Sequence, residues 1–140
     1  NIVINDPLEN GERKLLNFGH TIGHAVESYS LVHDQNPLLH GEAIAIGMIC
    51  ESYISNNKSE LTAGDLKTIS DRIYTTYDSY KLNDSNYHEL IELMKNDKKN
   101  EGFGINFTLL SEIGKANYNK EVDVELILES LNYYNSLKRD

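Results

Sequence analysis

The chain has 140 residues, is 39% hydrophobic and 25% charged, and carries a net charge of −9; this is the make-up of one globular domain with a real core, neither disordered nor membrane-spanning. The negative balance argues against nucleic acid and anionic membrane as partners, and it makes any local cluster of Arg, Lys and His conspicuous. A single cysteine, Cys50, excludes an internal disulfide framework, and NIVINDPLEN has neither the basic start nor the apolar stretch of a signal peptide, so the expected location is the cytoplasm.

In chain order, residues 1–10 read as extended backbone with Pro7 and an Asx-type turn, like a linker or a strand end cut from something longer, and no initiator Met opens them. The chain is therefore expected to be a fragment. A helix is predicted over about 12–30, followed by the loop LVHDQNPLLH, whose end Pro37 marks. The run EAIAIGMIC puts a second, central buried helix at about 40–57, with Cys50 as a small core residue. A third, amphipathic helix starts between Ser59 and Gly64 and carries Leu66, Ile69, Ile73 and Tyr77 on one face. A fourth spans about 85–97, opened by the cap candidates Asp84 and Ser85 and buried through Leu90, Ile91 and Met94. INFTLL has strand character inside a Gly- and Asn-rich stretch and predicts a short hairpin; the last helix, at about 122–137, uses Val124, Ile127, Leu128 and Leu131 as its apolar face. The expected fold is mainly α, a multi-helix single domain over residues 1–140 with one short β-hairpin.

The stretch GERKLLNFGHTIGHAVESYS, residues 11–30, places its chemistry in one line. At about 100° per residue, Arg13, Asn17, His20 and His24 fall at roughly 0°, 40°, −20° and 20°, with Glu9 at roughly −40° if the helix starts early enough, although Gly11 favours placing Glu9 in the turn leading in. Leu15, Leu16, Phe18, Ile22, Ala25 and Val26 take the other faces, so the helix is buried on several sides and its polar stripe needs partners. His20 and His24 form an HxxxH pair, the spacing at which two imidazoles serve one zinc or one anion. Two structural histidines on a helix have the same spacing, and the Glu of HExxH is absent, which argues against a protease. Company strengthens the pair. His40 opens the next helix in LLHGEAIAIG, where Gly41 would let backbone approach closely. Two histidines from one helix and one from the other, or one from each plus a carboxylate, would make a catalytic zinc shell with an open position. Lys98 and Lys99, in the turn NDKKNEG, are either a solvated pair or a point charge for phosphate. His33, in the loop, and His88, on the fourth helix, read as surface residues, and the nine tyrosines show no stacking pattern for nucleic acid.

RKLLNFGHTIGHAVE, then LLHGEAIAIGM, then DKK followed by LLSEIGKA, resemble the C-terminal domain of 3-dehydroquinate synthase from about Asp6 to the end of the chain. The resemblance implies the helical half of an enzyme whose N-terminal NAD-binding α/β domain covers the other side of the active-site cleft. It implies that His20 and His40 bind zinc, or cobalt in its place, and that the third ligand is an upstream glutamate with no counterpart here. By the same resemblance Arg13 pairs with the substrate carboxylate, Asn17 and His24 hold phosphate and hydroxyls with His24 also placed for proton transfer, Lys98 or else Lys99 contacts phosphate, and Glu9 is an acidic active-site residue. The implied reaction turns 3-deoxy-D-arabino-heptulosonate 7-phosphate, a sugar acid phosphate, into 3-dehydroquinate and phosphate with NAD as the transient oxidant, in a full-length homodimer. No Gly-rich dinucleotide fingerprint is present, so the chain alone is expected to be inactive. The alternatives are another sugar phosphate cyclase, such as a 2-deoxy-scyllo-inosose synthase, against which Arg13 speaks, and a non-catalytic helical module that binds a metal or an anion. The connection between His24 and His40 is longer than in many members of the family.

Overall fold

The computed structural model describes residues 18–76, 80, 82, 84–98, 104–112 and 115–137. Among these, five α-helices and one antiparallel hairpin follow in order: α1 (His20–His33), α2 (His40–Lys58), α3 (Ala63–Thr76), a 3-10 turn (Asp84–Asn86) running into α4 (Tyr87–Lys98), β1 (Gly104–Glu112), β2 (Lys115–Asp123) and α5 (Val124–Ser136). The mainly α class with a single hairpin is as the sequence predicts.

The apolar run of α2 makes it the central element, packed against α1, α3, α5 and β1. Ala43, Ile49, Cys50 and Ile54 are at most 1% exposed. Burial pushes the Cys50 thiol well above its usual range, and the nearby Glu51 carboxylate adds to this, so Cys50 is an inert core residue. α5 closes one side with Ile127 and Leu131, α4 another with Leu90, Ile91 and Met94, and the hairpin contributes Ile105, Phe107 and Val122. On α3, Leu66 is buried while Ile69 and Ile73 are partly buried against the core; Tyr77 lies outside the described residues.

Three boundaries differ from expectation for local reasons. An uninterrupted helix over 12–30 is not formed. Phe18 and Gly19 make a turn in which Gly19 has φ +87°, a left-handed conformation that costs glycine nothing and other residues much. The helix starts at His20 and runs on to His33, where Asp34 ends it by giving its N–H to Ser30. α5 starts at Val124 rather than at 122, because Val122 is still paired with Ile105 and the Asp123 side chain caps the helix by accepting from Leu126 N at 3.0 Å. The hairpin strands have nine residues each and β1 reaches beyond INFTLL at both ends, while the register shifts twice, between Phe107 and Leu109 and between Leu110 and Glu112.

α1 and α2 meet backbone to backbone. A Cβ on Gly47 would collide with the carbonyl oxygen of Gly19 and stand 2.6 Å from Gly23 N, so only glycine lets the two helices meet here. Gly41, expected to admit close backbone, has nothing within 4 Å of its would-be Cβ among the described residues. The same seam carries a buried carboxylate. Glu51, 0% exposed, accepts from Gly19 N through Oε1 and from Ile22 N through Oε2, both at 2.8 Å. α1 has no acidic residue in its first turn and no side-chain cap of its own. Glu51 reaches across from α2 to supply both the acceptor and the negative charge that a helix N-terminus favours. No described helix is long and apolar enough to cross a membrane.

Candidate functional site at the outer face of α1 and α2

The turn at Gly19 and the cap from Glu51 fix where α1 begins, and therefore where His20 and, one turn later, His24 emerge. α2 starts with His40 directly after an exposed connection. Leu39 N donates to Glu42 Oε1 at 2.8 Å, the backward reach of a residue at the third helical position that secures the first turn. The connection itself is folded onto α1: Ser30 Oγ donates to Asp34 Oδ2 at 2.6 Å and accepts from Leu38 N at 2.9 Å.

These elements bring the three histidines together. The rings of His20 and His24 meet edge-on at 5.1 Å between centroids, and His40 stands 6.0 Å from each. Two imidazoles on one tetrahedral ion, with metal–nitrogen bonds of roughly 2 Å, have centroids about 5 Å apart, so the donors fit a shared borderline metal after small ring movements. A complete three-ligand shell, one of the arrangements the sequence suggested, is not present: among the described residues no group of three His, Cys, Asp or Glu is placed to hold a metal ion. In His40, Nδ1 is 2.9 Å from Glu27 Oε1, so one of its two ring nitrogens is already engaged.

Two recesses flank the trio. One of about 430 Å³ is lined by His20, His40, Gly41, Ile44, Met48 and Ile73; the other, of about 270 Å³, by His24, Ala25, Ser28, Leu93 and Asn96. His20 and His24 therefore serve different sides of the same wall. The second recess reaches the C-terminal turn of α4, whose last residue is Lys98. Lys98 thus ends a helix instead of lying in the turn that the sequence suggested, and Lys99 lies outside the described residues. Glu9, Arg13 and Asn17, and with them the rest of the predicted polar stripe, also lie outside the described residues.

His33 is not a loop residue. It closes α1, stacks on Tyr29 at 4.3 Å and meets both carboxylate oxygens of Glu89 on α4 at 2.9 and 3.0 Å. This is a clasp between helices, remote from the trio. His88 is exposed, as expected. Sequence reasoning passed over Glu27, although it lies three residues after His24 and seven after His20, on the same side of the helix.

Residues 1–100 match the family model described as 3-dehydroquinate synthase C-terminal. The chain is 46% identical to the 3-dehydroquinate synthase of Parabacteroides distasonis over 133 residues, which is 95% of this chain and 37% of that protein. To the synthase of Clostridium botulinum it is 37% identical over 89% of this chain and 34% of that one. It spans about a third of the length of these curated relatives. Among solved structures it resembles a 2-deoxy-scyllo-inosose synthase complexed with carbaglucose-6-phosphate, NAD+ and Co2+, with a TM-score of 0.67 and 29% identity over 91% of this chain and 37% of that one.

Proposed function

The chain belongs to the 3-dehydroquinate synthase C-terminal family, and from that premise we propose that residues 1–140 are the single metal- and substrate-binding domain of a 3-dehydroquinate synthase. The parent enzyme would convert 3-deoxy-D-arabino-heptulosonate 7-phosphate to 3-dehydroquinate and phosphate, an early step toward the aromatic amino acids. The observation that carries this reading is the convergence of three imidazoles from α1 and α2 within 5.1–6.0 Å at a recessed face, in a chain whose net charge of −9 offers anions little else.

His20 and His40 are the metal ligands in this proposal, supported by their origin on two helices whose separation glycine contacts fix. A bound Zn2+ or Co2+ supplies Lewis acidity toward a substrate hydroxyl or carbonyl, and NAD, carried by the partner N-terminal domain, supplies hydride transfer. The structural relative's Co2+ and NAD+ support the metal and the cofactor. The chain's own residues bind and orient. Arg13 offers a planar two-pronged donor to the substrate carboxylate. Asn17 and Lys98, or Lys99 in its place, hold the phosphate, and Glu9 adds an acidic group. His24 holds hydroxyl and phosphate oxygens and takes or returns a proton at an imidazole nitrogen, supported by its place in the recess that the end of α4 closes. The proposed setting is the cytoplasm, consistent with the buried thiol of Cys50, and the proposed assembly is the homodimer implied by the family resemblance.

The structural likeness to a 2-deoxy-scyllo-inosose synthase favours one second reading, a cyclase acting on a sugar phosphate without a carboxylate. Assaying the full-length parent with both sugar phosphates separates the two. Phosphate release from the heptulosonate, lost in Arg13→Ala and in the pair His20→Ala and His40→Ala, is the expected result. Turnover of the sugar phosphate without a carboxylate alone would overturn the assignment.

A further inference from the structure

We propose that Glu27 is the positioning residue for His40, fixing which nitrogen of that imidazole is offered to a metal. The inference rests on the metal reading of His20 and His40 given above.

The argument starts from His40's place in the chain. It is the first residue of α2, it follows an exposed connection, and its side chain is 58% exposed. Nothing in its own helix holds the ring. What does hold it is a carboxylate from the other helix, with Glu27 Oε1 2.9 Å from Nδ1. A carboxylate oxygen only accepts, so Nδ1 carries the proton and Nε2 keeps the lone pair; the tautomer follows from this partner. A ligating histidine held in this way, by a carboxylate on its non-ligating nitrogen, has its orientation and its basicity set together.

Stability does not account for the pair. With the two side chains 58% and 27% exposed, a contact this open to water adds little to the stability of the fold. Helical geometry explains why this glutamate was available. Glu27 continues the line of His20 two turns on, about 10 Å along α1, so one helix face supplies the first imidazole and the support for the second. His40 is thereby tied to the same rigid element as His20, and their relative placement does not depend on the exposed connection.

The test uses the full-length parent protein freed of metal, with Co2+ as the probe, read by calorimetry and by the visible absorption of the bound ion. Glu27→Ala should weaken Co2+ binding by about ten- to a hundred-fold and alter the absorption bands, while the Tm of the metal-free protein moves by no more than a few degrees. Glu27→Gln, whose amide oxygen can accept the same hydrogen bond, should recover most of the affinity. Unchanged Co2+ affinity in Glu27→Ala, alongside loss of binding in His40→Ala, would overturn the positioning role and leave the metal site standing. Unchanged affinity in both variants would overturn the metal reading as well. A large fall in the metal-free Tm, with Glu27→Gln no better than Glu27→Ala, would show that Glu27 serves the fold and not the ring.

Discussion

The two faces of the α1–α2 pair use the same kind of side chain for opposite ends. On the inner face Glu51 is fully buried, and each of its oxygens takes a backbone N–H from the start of α1. On the outer face Glu27 is about a quarter exposed and holds one nitrogen of an exposed imidazole. The inner carboxylate is expensive to remove because the amides that it satisfies have no access to water. The outer one is cheap to remove, because water replaces it. Stability is therefore concentrated on one side of the seam and chemistry on the other, where the ligands can serve function without being optimised for the fold.

Removing the inner carboxylate should have the largest effect on stability. Glu51→Ala leaves two buried amides without their acceptor, at roughly 1–3 kcal/mol each, and equilibrium denaturation should show a loss on the order of 3–5 kcal/mol. Glu51→Gln should cost about half as much, since its amide nitrogen cannot accept. A loss below about 1 kcal/mol for Glu51→Ala would erase the contrast between the faces.

A second test acts on the seam itself. Gly47→Ala places a methyl group against the Gly19 carbonyl, and prying the helices apart should cost about 1–3 kcal/mol, more than the roughly 1 kcal/mol that alanine returns as a better helix former. Because both histidine-bearing helices shift, metal affinity should fall with stability in this variant. Thermal unfolding and Co2+ titration of the same sample would check the coupling.

The smallest effect lies beside the connection between the helices. The phenol of Tyr80 donates to Asp34 Oδ2 at 2.6 Å and resists ionisation, first because it is partly buried and then because it donates a hydrogen bond to Asp34, whose negative charge adds to the effect. A phenol harder to ionise in the fold than in the unfolded chain stabilises fully below its ordinary value of about 10, and that contribution is lost as pH rises from there toward the elevated value. Tyr80→Phe should cost about 1 kcal/mol at neutral pH and should flatten the fall in stability above about pH 10. An alkaline slope identical to that of the parent would assign it to other groups.

Much of this was legible in the chain. The apolar run that became α2, the Ile127 and Leu131 face of α5 and the HxxxH pair all rest on short-range periodicity, which the fold obeys. The break at Gly19 was not legible. An isolated glycine inside a helical pattern is ordinarily tolerated, and only the partner surface of Met48 and Gly47 makes its left-handed turn favourable. Glu51 was equally hidden: in AIAIGMICES it looks like the polar end of a buried helix, and its acceptor role depends on amides 29 and 32 residues away. Glu27 was within reach, since it shares the spacing of His20 and His24, but its partner sits on another helix. Periodicity shows which face a residue occupies, and only the packed structure shows what meets that face.

The glycine contact between α1 and α2 also bears on how the chain can be altered. It sets the distance from His20 to His40 by backbone meeting backbone, so the six residues from Asp34 to Leu39 form an arc over a chord that is already fixed. Lengthening the arc leaves the chord as it is. Insertions there, or a new pair of termini, should change the outline of the protein while the imidazoles keep their spacing.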